Sequence, residues 1–213
     1  MTSIAERLAA VRAELPPSVT LVAVSKTQPV DAIREAYSAG QRHFGENYAQ
    51  EWRTKAEQLA DLPDLVWHFI GSLQTNKAKY LAGAVSWVHT VDRVELAREL
   101  SKRCAQRGAT LRVLLEVNVA REPQKAGCPP EDVARLAEEV RQLPALELRG
   151  LMCIPPAEGD PRPHFATLRA LAHELALPDL SMGMSGDWRE AIAEGSTIIR
   201  VGTAIFGARP PAR

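Results

Sequence analysis

Short apolar runs recur along the chain at Leu21-Val-Ala-Val24, His43-Phe44, Val66-Trp-His-Phe-Ile70, Trp87-Val-His89, Leu111 to Val119, Leu146 to Cys153, Leu180 to Met182 and Ile198 to Val201. Runs of this length, rich in β-branched residues, predict strands. Between them, Val30 to Ala39, Arg93 to Arg107, Glu131 to Leu143 and Phe165 to Leu175 carry apolar residues three or four apart, the spacing of one helix face. Strand and helix alternation predicts a parallel sheet. Eight such units in 213 residues favour a closed barrel over an open doubly wound sheet. The expected fold class is therefore α/β, a single-domain (β/α)8 TIM-type barrel over residues 1–213. Residues 1–15 are expected to form an N-terminal helix and residues 210–213 a short tail. The second and seventh strands are the least marked. Cys128-Pro-Pro130 and the proline-rich stretch from Pro155 to Pro163 predict loops that precede helices.

Charge removes several functions from consideration. Lys plus Arg total 26, matched by 26 Asp plus Glu, so no basic field gathers nucleic acid or anionic lipid. Neither nucleic acid nor membrane is an expected partner, and a bound anion must be caught locally. The three cysteines, Cys104, Cys128 and Cys153, are far apart and odd in number, which argues against a disulfide framework or a zinc site and points to a reducing cytoplasm. The first residues carry charge and lead into no long apolar run, so neither a signal peptide nor a membrane span is expected.

Lys26 follows the first apolar run, which puts an amine at the C-terminal end of a barrel strand, where active sites of this fold are built. A partly desolvated lysine there can attack an aldehyde and form an imine; a solvated strand-end lysine is the plainer alternative. A phosphate would need backbone N–H donors, and two glycine-rich turns follow the last two strands: Ser181-Met-Gly-Met-Ser-Gly-Asp187 and Gly202-Thr-Ala-Ile-Phe-Gly207. Ser185 and Thr203 would add hydroxyls. The glycines could equally serve only tight turns. Arg200 sits in the apolar stretch Ile198-Ile-Arg-Val201 and needs an acceptor inside the barrel, either a ligand ring nitrogen or protein carbonyls. Asn47 is a helix N-cap or a ligand contact. His68 is a hydrogen-bonded core histidine or a supporting site residue. Lys77, Arg121 and Lys125 read as surface or loop charges near the site.

Leu21-Val-Ala-Val-Ser-Lys-Thr27, Phe44-Gly-Glu-Asn-Tyr48, Trp67-His-Phe-Ile-Gly71 with Gln74-Thr-Asn-Lys77, Gly150-Leu-Met152, Leu180-Ser-Met-Gly-Met-Ser185 and Arg200-Val-Gly-Thr-Ala-Ile-Phe-Gly207 together resemble the pyridoxal phosphate homeostasis protein family. The match is collinear from about residue 20 to residue 209. The resemblance implies a barrel similar to the N-terminal domain of bacterial alanine racemase, with pyridoxal 5′-phosphate (PLP) held as a Schiff base on Lys26 and no robust turnover. It places Asn47 beside the cofactor, Ser185, Gly202 and Thr203 at the phosphate, and Arg200 at the pyridine nitrogen. His68 and Met182 complete the candidate cofactor-binding set, and no catalytic or metal residue is assigned. The segment before the first strand is short for the family, and Gly186 occupies a variable position.

The leading expectation is a PLP carrier in the cytoplasm that limits the free aldehyde and delivers it to apo-enzymes, as a monomer or weak homodimer. The alternative is a weak PLP-dependent amino-acid racemase. That reaction needs two opposed acid/base groups, and no second domain is expected after Arg209 to supply a tyrosine. Tyr37, Tyr48 and Tyr80 all fall in predicted helices, with Tyr48 nearest the mouth. A regulatory module that binds a partner through its surface fits either expectation.

Overall fold

A computed structural model describes residues 2–208. Its first helix, α1 (Ile4–Ala13), opens with a reciprocal cap in which the Ser3 hydroxyl accepts from the Glu6 amide and the Glu6 carboxylate accepts from the Ser3 amide. There follow β1 (Thr20–Val24), α2 (Val30–Ser38), β2 (His43–Glu46), α3 (Ala49–Gln58), β3 (Val66–Phe69), a 3-10 turn (Thr75–Lys77) running into α4 (Ala78–Leu81), and β4 (Trp87–Val91). The second half comprises α5 (Val94–Gln106), β5 (Leu111–Glu116), α6 (Val133–Arg141), β6 (Leu146–Met152), α7 (Arg162–Glu174), β7 (Asp179–Ser181), α8 (Trp188–Ala193), β8 (Ile198–Val201) and α9 (Thr203–Phe206).

All eight strands are parallel and pair with their neighbours in chain order, and β1 pairs with β8 to close the barrel. The expected fold class is thus the observed one. Alternation along each strand sends one set of side chains inward and the other under the helices. Val22, Leu114, Met152 and Ile198 form a small interior cluster with Trp87 packed against it, while the larger cluster fills the shell between strands and helices.

The boundaries differ from expectation where loops begin. β5 stops at Glu116 and not Val119, because Asn118 turns away to bond the Cys128 and Glu122 carbonyls. β7 ends at Ser181, one residue before Met182, and its register with β8 rests on Ser181 opposite Ile198. Gly183 then reverses the chain at φ 94°; a Cβ there would lie 2.6 Å from the Ala191 Cβ and 2.9 Å from the Trp188 Cα. The expected tail, residues 210–213, lies outside the described residues. Among the described residues no helix is long and apolar enough to cross a membrane.

Candidate functional site

Lys26 lies in the loop that leaves β1, two residues past the end of the strand, and is half-buried. Both of its neighbours are tied to one buried ammonium. Lys55, on α3, donates to the Ser25 carbonyl at 2.7 Å, to Glu46 Oε1 at 2.8 Å and to Glu51 Oε1 at 2.7 Å. The Ser25 hydroxyl donates to the same Glu46 oxygen at 2.6 Å, and the Thr27 amide donates to Glu51 Oε1. Lys26 is therefore presented by a loop fixed on either side. Its stem shares a cleft with Val24, Gln28, Gly202, Thr203 and Gly207.

The loops after β7 and β8 meet at that cleft. Ser185 Oγ accepts from the Gly202 amide at 3.3 Å, which ties the two glycine-rich turns together. Gly202 caps α9, and the first backbone bonds of this turn run from the Ile205 and Phe206 amides to the Gly202 carbonyl. The Thr203 and Ala204 amides precede those bonds and are the usual unsatisfied donors of a helix start. Lys26, Gly202 and Thr203 thus line one small space.

Arg200 lies beneath it, 4% exposed. Nη1 donates to the Ser181 carbonyl and to Ser181 Oγ, both at 2.7 Å, and Nη2 donates to the Cys153 carbonyl at 3.0 Å. The carbonyl-capping alternative is realised, and Nε–H with the second Nη2–H remain for another acceptor. Glu116, at the end of β5, is also buried; its Oε2 has no hydrogen-bond partner, and burial pushes its carboxyl up to about 7.

Comparison with known proteins now bears on this arrangement. A family profile described as "Alanine racemase, N-terminal domain" matches residues 1–210. The "Pyridoxal phosphate homeostasis protein" of Pseudomonas aeruginosa is 50% identical, over 98% of this chain and 97% of its own length. The chain belongs to the pyridoxal phosphate homeostasis protein family. PipY of Synechococcus elongatus PCC7942, solved without PLP, superposes at TM-score 0.93 with 47% identity, over 96% of this chain and all of its own. The same protein with PLP bound gives 0.91 and 46%, again over 96% and 100% of the two chains.

Within this member of the pyridoxal phosphate homeostasis protein family, the eight residues singled out from sequence separate into groups. Lys26, Ser185, Gly202 and Thr203 come together, with Arg200 below them. Asn47 is not an N-cap, since α3 is capped at Tyr48 without a side-chain bond. Its Oδ1 is buried without a partner, and the residue lines an adjacent groove of about 450 Å³ with Tyr48, Gln74, Lys77 and Tyr80. Two of the eight lie away from the cleft that Lys26 lines. Met182 is fully buried in the shell between barrel and helices, with its amide spent on the Ile198 carbonyl and its carbonyl on the Ser196 hydroxyl. It builds the wall and presents nothing to the cleft. His68 is 1% exposed in the barrel interior, bonded to His43 and His89, and does not line the cleft either. The pairing of Ser181 with Arg200 and the whole of the Lys55 network were missed. A signal for Lys55 exists in retrospect: it lies three residues after Trp52 on the buried face of α3.

The interior histidines make stability depend on acid. Burial holds His68 and His89 well below the ordinary 6.5, and His43 is lowered by the same cause. Below about pH 6.5 the unfolded chain takes up protons that the folded barrel refuses, so stability is full above that pH and falls as pH drops. Glu116 acts in the opposite sense from 4.5 to about 7, because the folded state keeps a proton that the unfolded chain has lost, and Glu46, also raised, adds to it. With three histidines set against two carboxyls, stability is expected to fall as pH drops from about 6.5 to 5. Urea unfolding at pH 7.5, 6.5 and 5.5 measures this, and Glu116→Gln should steepen the decline. A flat profile would mean that the histidines ionise in place.

Proposed function

We propose that this chain binds PLP at the mouth of the barrel, with Lys26 joined to its aldehyde, Ser185, Gly202 and Thr203 holding its phosphate, and Arg200 at its pyridine nitrogen. The observation that carries this reading is the cleft shared by Lys26, Gly202 and Thr203, which sets an amine beside phosphate-binding donors. Asn47 adds a buried acceptor that has no hydrogen-bond partner among the described residues. The name of the Pseudomonas relative and the PLP-bound form of PipY support the same ligand.

The role we infer is to hold the cofactor, limit its free concentration and deliver it to apo-enzymes in the cytoplasm, without turnover of its own. Bound PLP supplies an electron-withdrawing ring, and a guanidinium at its nitrogen leaves that nitrogen unprotonated and so weakens the withdrawal. Lys26 holds, Arg200 restrains, and the Lys55 network keeps the loop that carries Lys26 from drifting. Among the described residues, Tyr37 donates to Asp64, which also accepts from Arg42, and Tyr48 and Tyr80 line the groove with Asn47. None of the three lines the cleft that holds Lys26.

The test is an absorbance titration of the purified protein with PLP, followed by borohydride reduction and peptide mapping. A stable pyridoxyl label on Lys26 is the expected result; no band and no label would remove the reading. Incubation of the loaded protein with L-amino acids in heavy water separates carrier from enzyme, since α-hydrogens should survive for hours. Arg200→Gln should weaken PLP binding about tenfold or more and shift the absorbance band, since a charge-assisted contact is worth roughly 1.5–3 kcal/mol. An unchanged affinity and spectrum would confine Arg200 to capping the Ser181 and Cys153 carbonyls.

A further inference from the structure

An unbroken line of side chains crosses the barrel interior. Arg200 Nη1 contacts Ser181 Oγ at 2.7 Å, Ser181 Oγ contacts His89 Nδ1 at 2.9 Å, His89 Nε2 contacts His68 Nδ1 at 2.8 Å, and His68 Nε2 contacts His43 Nδ1 at 2.9 Å. The line starts on β8, passes through β7, crosses to β4 and steps along β3 to β2. Ser181 and His89 are fully buried and His68 is 1% exposed, while His43 is half-buried and lines a surface cleft at the closed end with Arg12, Gln41 and Arg42. Trp87 stacks on His68 with ring centroids 5.6 Å apart and planes within 7°.

The geometry points to Ser181 and His89, backed by His68 and His43, as positioning residues for Arg200, joined in a one-way file in which each ring carries its single proton on Nε2. The direction follows from donor and acceptor accounting. A guanidinium only donates, so Ser181 Oγ must accept from it. The Ser181 hydroxyl proton is then given to His89 Nδ1, which makes that nitrogen an acceptor and leaves the ring's proton on Nε2. The same logic repeats at His68 and at His43. The reverse polarity would aim His89 Nδ1–H at an oxygen already receiving from Arg200 and leave the Ser181 hydroxyl proton without an acceptor. An unmade bond of that kind is strongly disfavoured in a dry interior.

The arginine thus sets the polarity, and aligned bonds in a low-dielectric interior reinforce one another. Burial and the Arg200 charge both keep His89 from taking a second proton. Because arginine does not release its proton at ordinary pH, the file passes no proton to the mouth and acts as a strut. With Nη1 held by both oxygens of Ser181, the guanidinium cannot rotate about its stem, and its remaining donors keep one direction. That consequence rests on the PLP reading above; the polarity of the file does not.

Two measurements test it. Long-range proton–nitrogen correlation spectra of the cofactor-free protein at pH 7.5 should show Nδ1 unprotonated and Nε2 protonated in all three rings. Exposed His173 and partly exposed His164, on α7, are assigned by loss of their signals in His173→Gln and His164→Gln. A proton on Nδ1 of any of the three, or an imidazolium, would overturn the file. In PLP titrations, Ser181→Ala and His89→Leu should each weaken binding about tenfold and shift the absorbance band, the loss of one hydrogen bond to a charged group. His89→Asn, which keeps an acceptor near the place of Nδ1, should bind within about twofold of the parent. Equal behaviour of His89→Asn and His89→Leu would reduce the histidine to filler. Should His89→Leu not fold, Ser181→Ala, which removes a single oxygen, decides, and unchanged binding there would end the positioning role. Absence of PLP binding in the parent protein would sink the cofactor reading, with the tautomer spectra still judging the file.

Discussion

Lys26→Ala is expected to leave a folded barrel that can no longer be labelled. Lys26 is half-buried in a loop outside both apolar clusters, so truncation should cost at most about 1 kcal/mol of stability. The effect on the cofactor should be all or none for the covalent link: the imine band disappears, and borohydride leaves no pyridoxyl peptide at residue 26. Phosphate donors at Ser185, Gly202 and Thr203 remain, so residual reversible binding should persist, weakened by about tenfold or more. Absorbance, mass spectrometry of the reduced protein and thermal unfolding together read this out. A normal reducible label in the variant would move the linkage to another lysine. Two other lysines would then be examined: Lys125, which donates to the Pro155 carbonyl at 2.8 Å, and Lys77, which lines the groove with Asn47.

Lys55→Met should give the largest loss of stability of any single charged-residue change. The ammonium is the shared partner of Ser25, Glu46 and Glu51, with side-chain exposures of 6% for Lys55 and 0% for Glu46. Burial already pushes the Glu46 carboxyl above its ordinary range against the pull of Lys55, so without the ammonium the charge has nothing to hold it. Removing one partner of a buried pair costs about 3–5 kcal/mol, which for a domain of this size lowers the melting temperature by roughly 10 °C. Glu46→Gln in the same chain should recover much of the loss, because the uncompensated charge goes with it. The loop around Lys26 loosens too, so the yield of label should fall even where the protein is folded. A loss below about 1 kcal/mol would mean that water, and not Lys55, solvates Glu46.

The sequence carries the barrel because strand and helix periods are local. The run Leu21 to Val24, the spacing from Val30 to Ala39 and seven further strands in that alternation leave few other ways to bury so many apolar faces. Position along a strand also carried most of the site: Lys26 just beyond β1 and two glycine-rich turns beyond β7 and β8 fall on one face of any parallel barrel. Parity sets where Met182 sits. A strand ending at Ser181 turns that residue inward and its neighbour under the helices, and the end of so short a strand is decided by pairing with β8.

Chain order alone therefore determined the fold and the end of the barrel at which Lys26 and the two glycine-rich turns lie. Only tertiary structure decided which polar groups inside the barrel are partners. Lys55 meets Ser25 thirty residues away, and His89 meets Ser181 across ninety-two. Such pairs leave no trace in a local pattern, since each is selected by the cost of burying a polar group unmet, and that cost exists only once the barrel has closed and water has left.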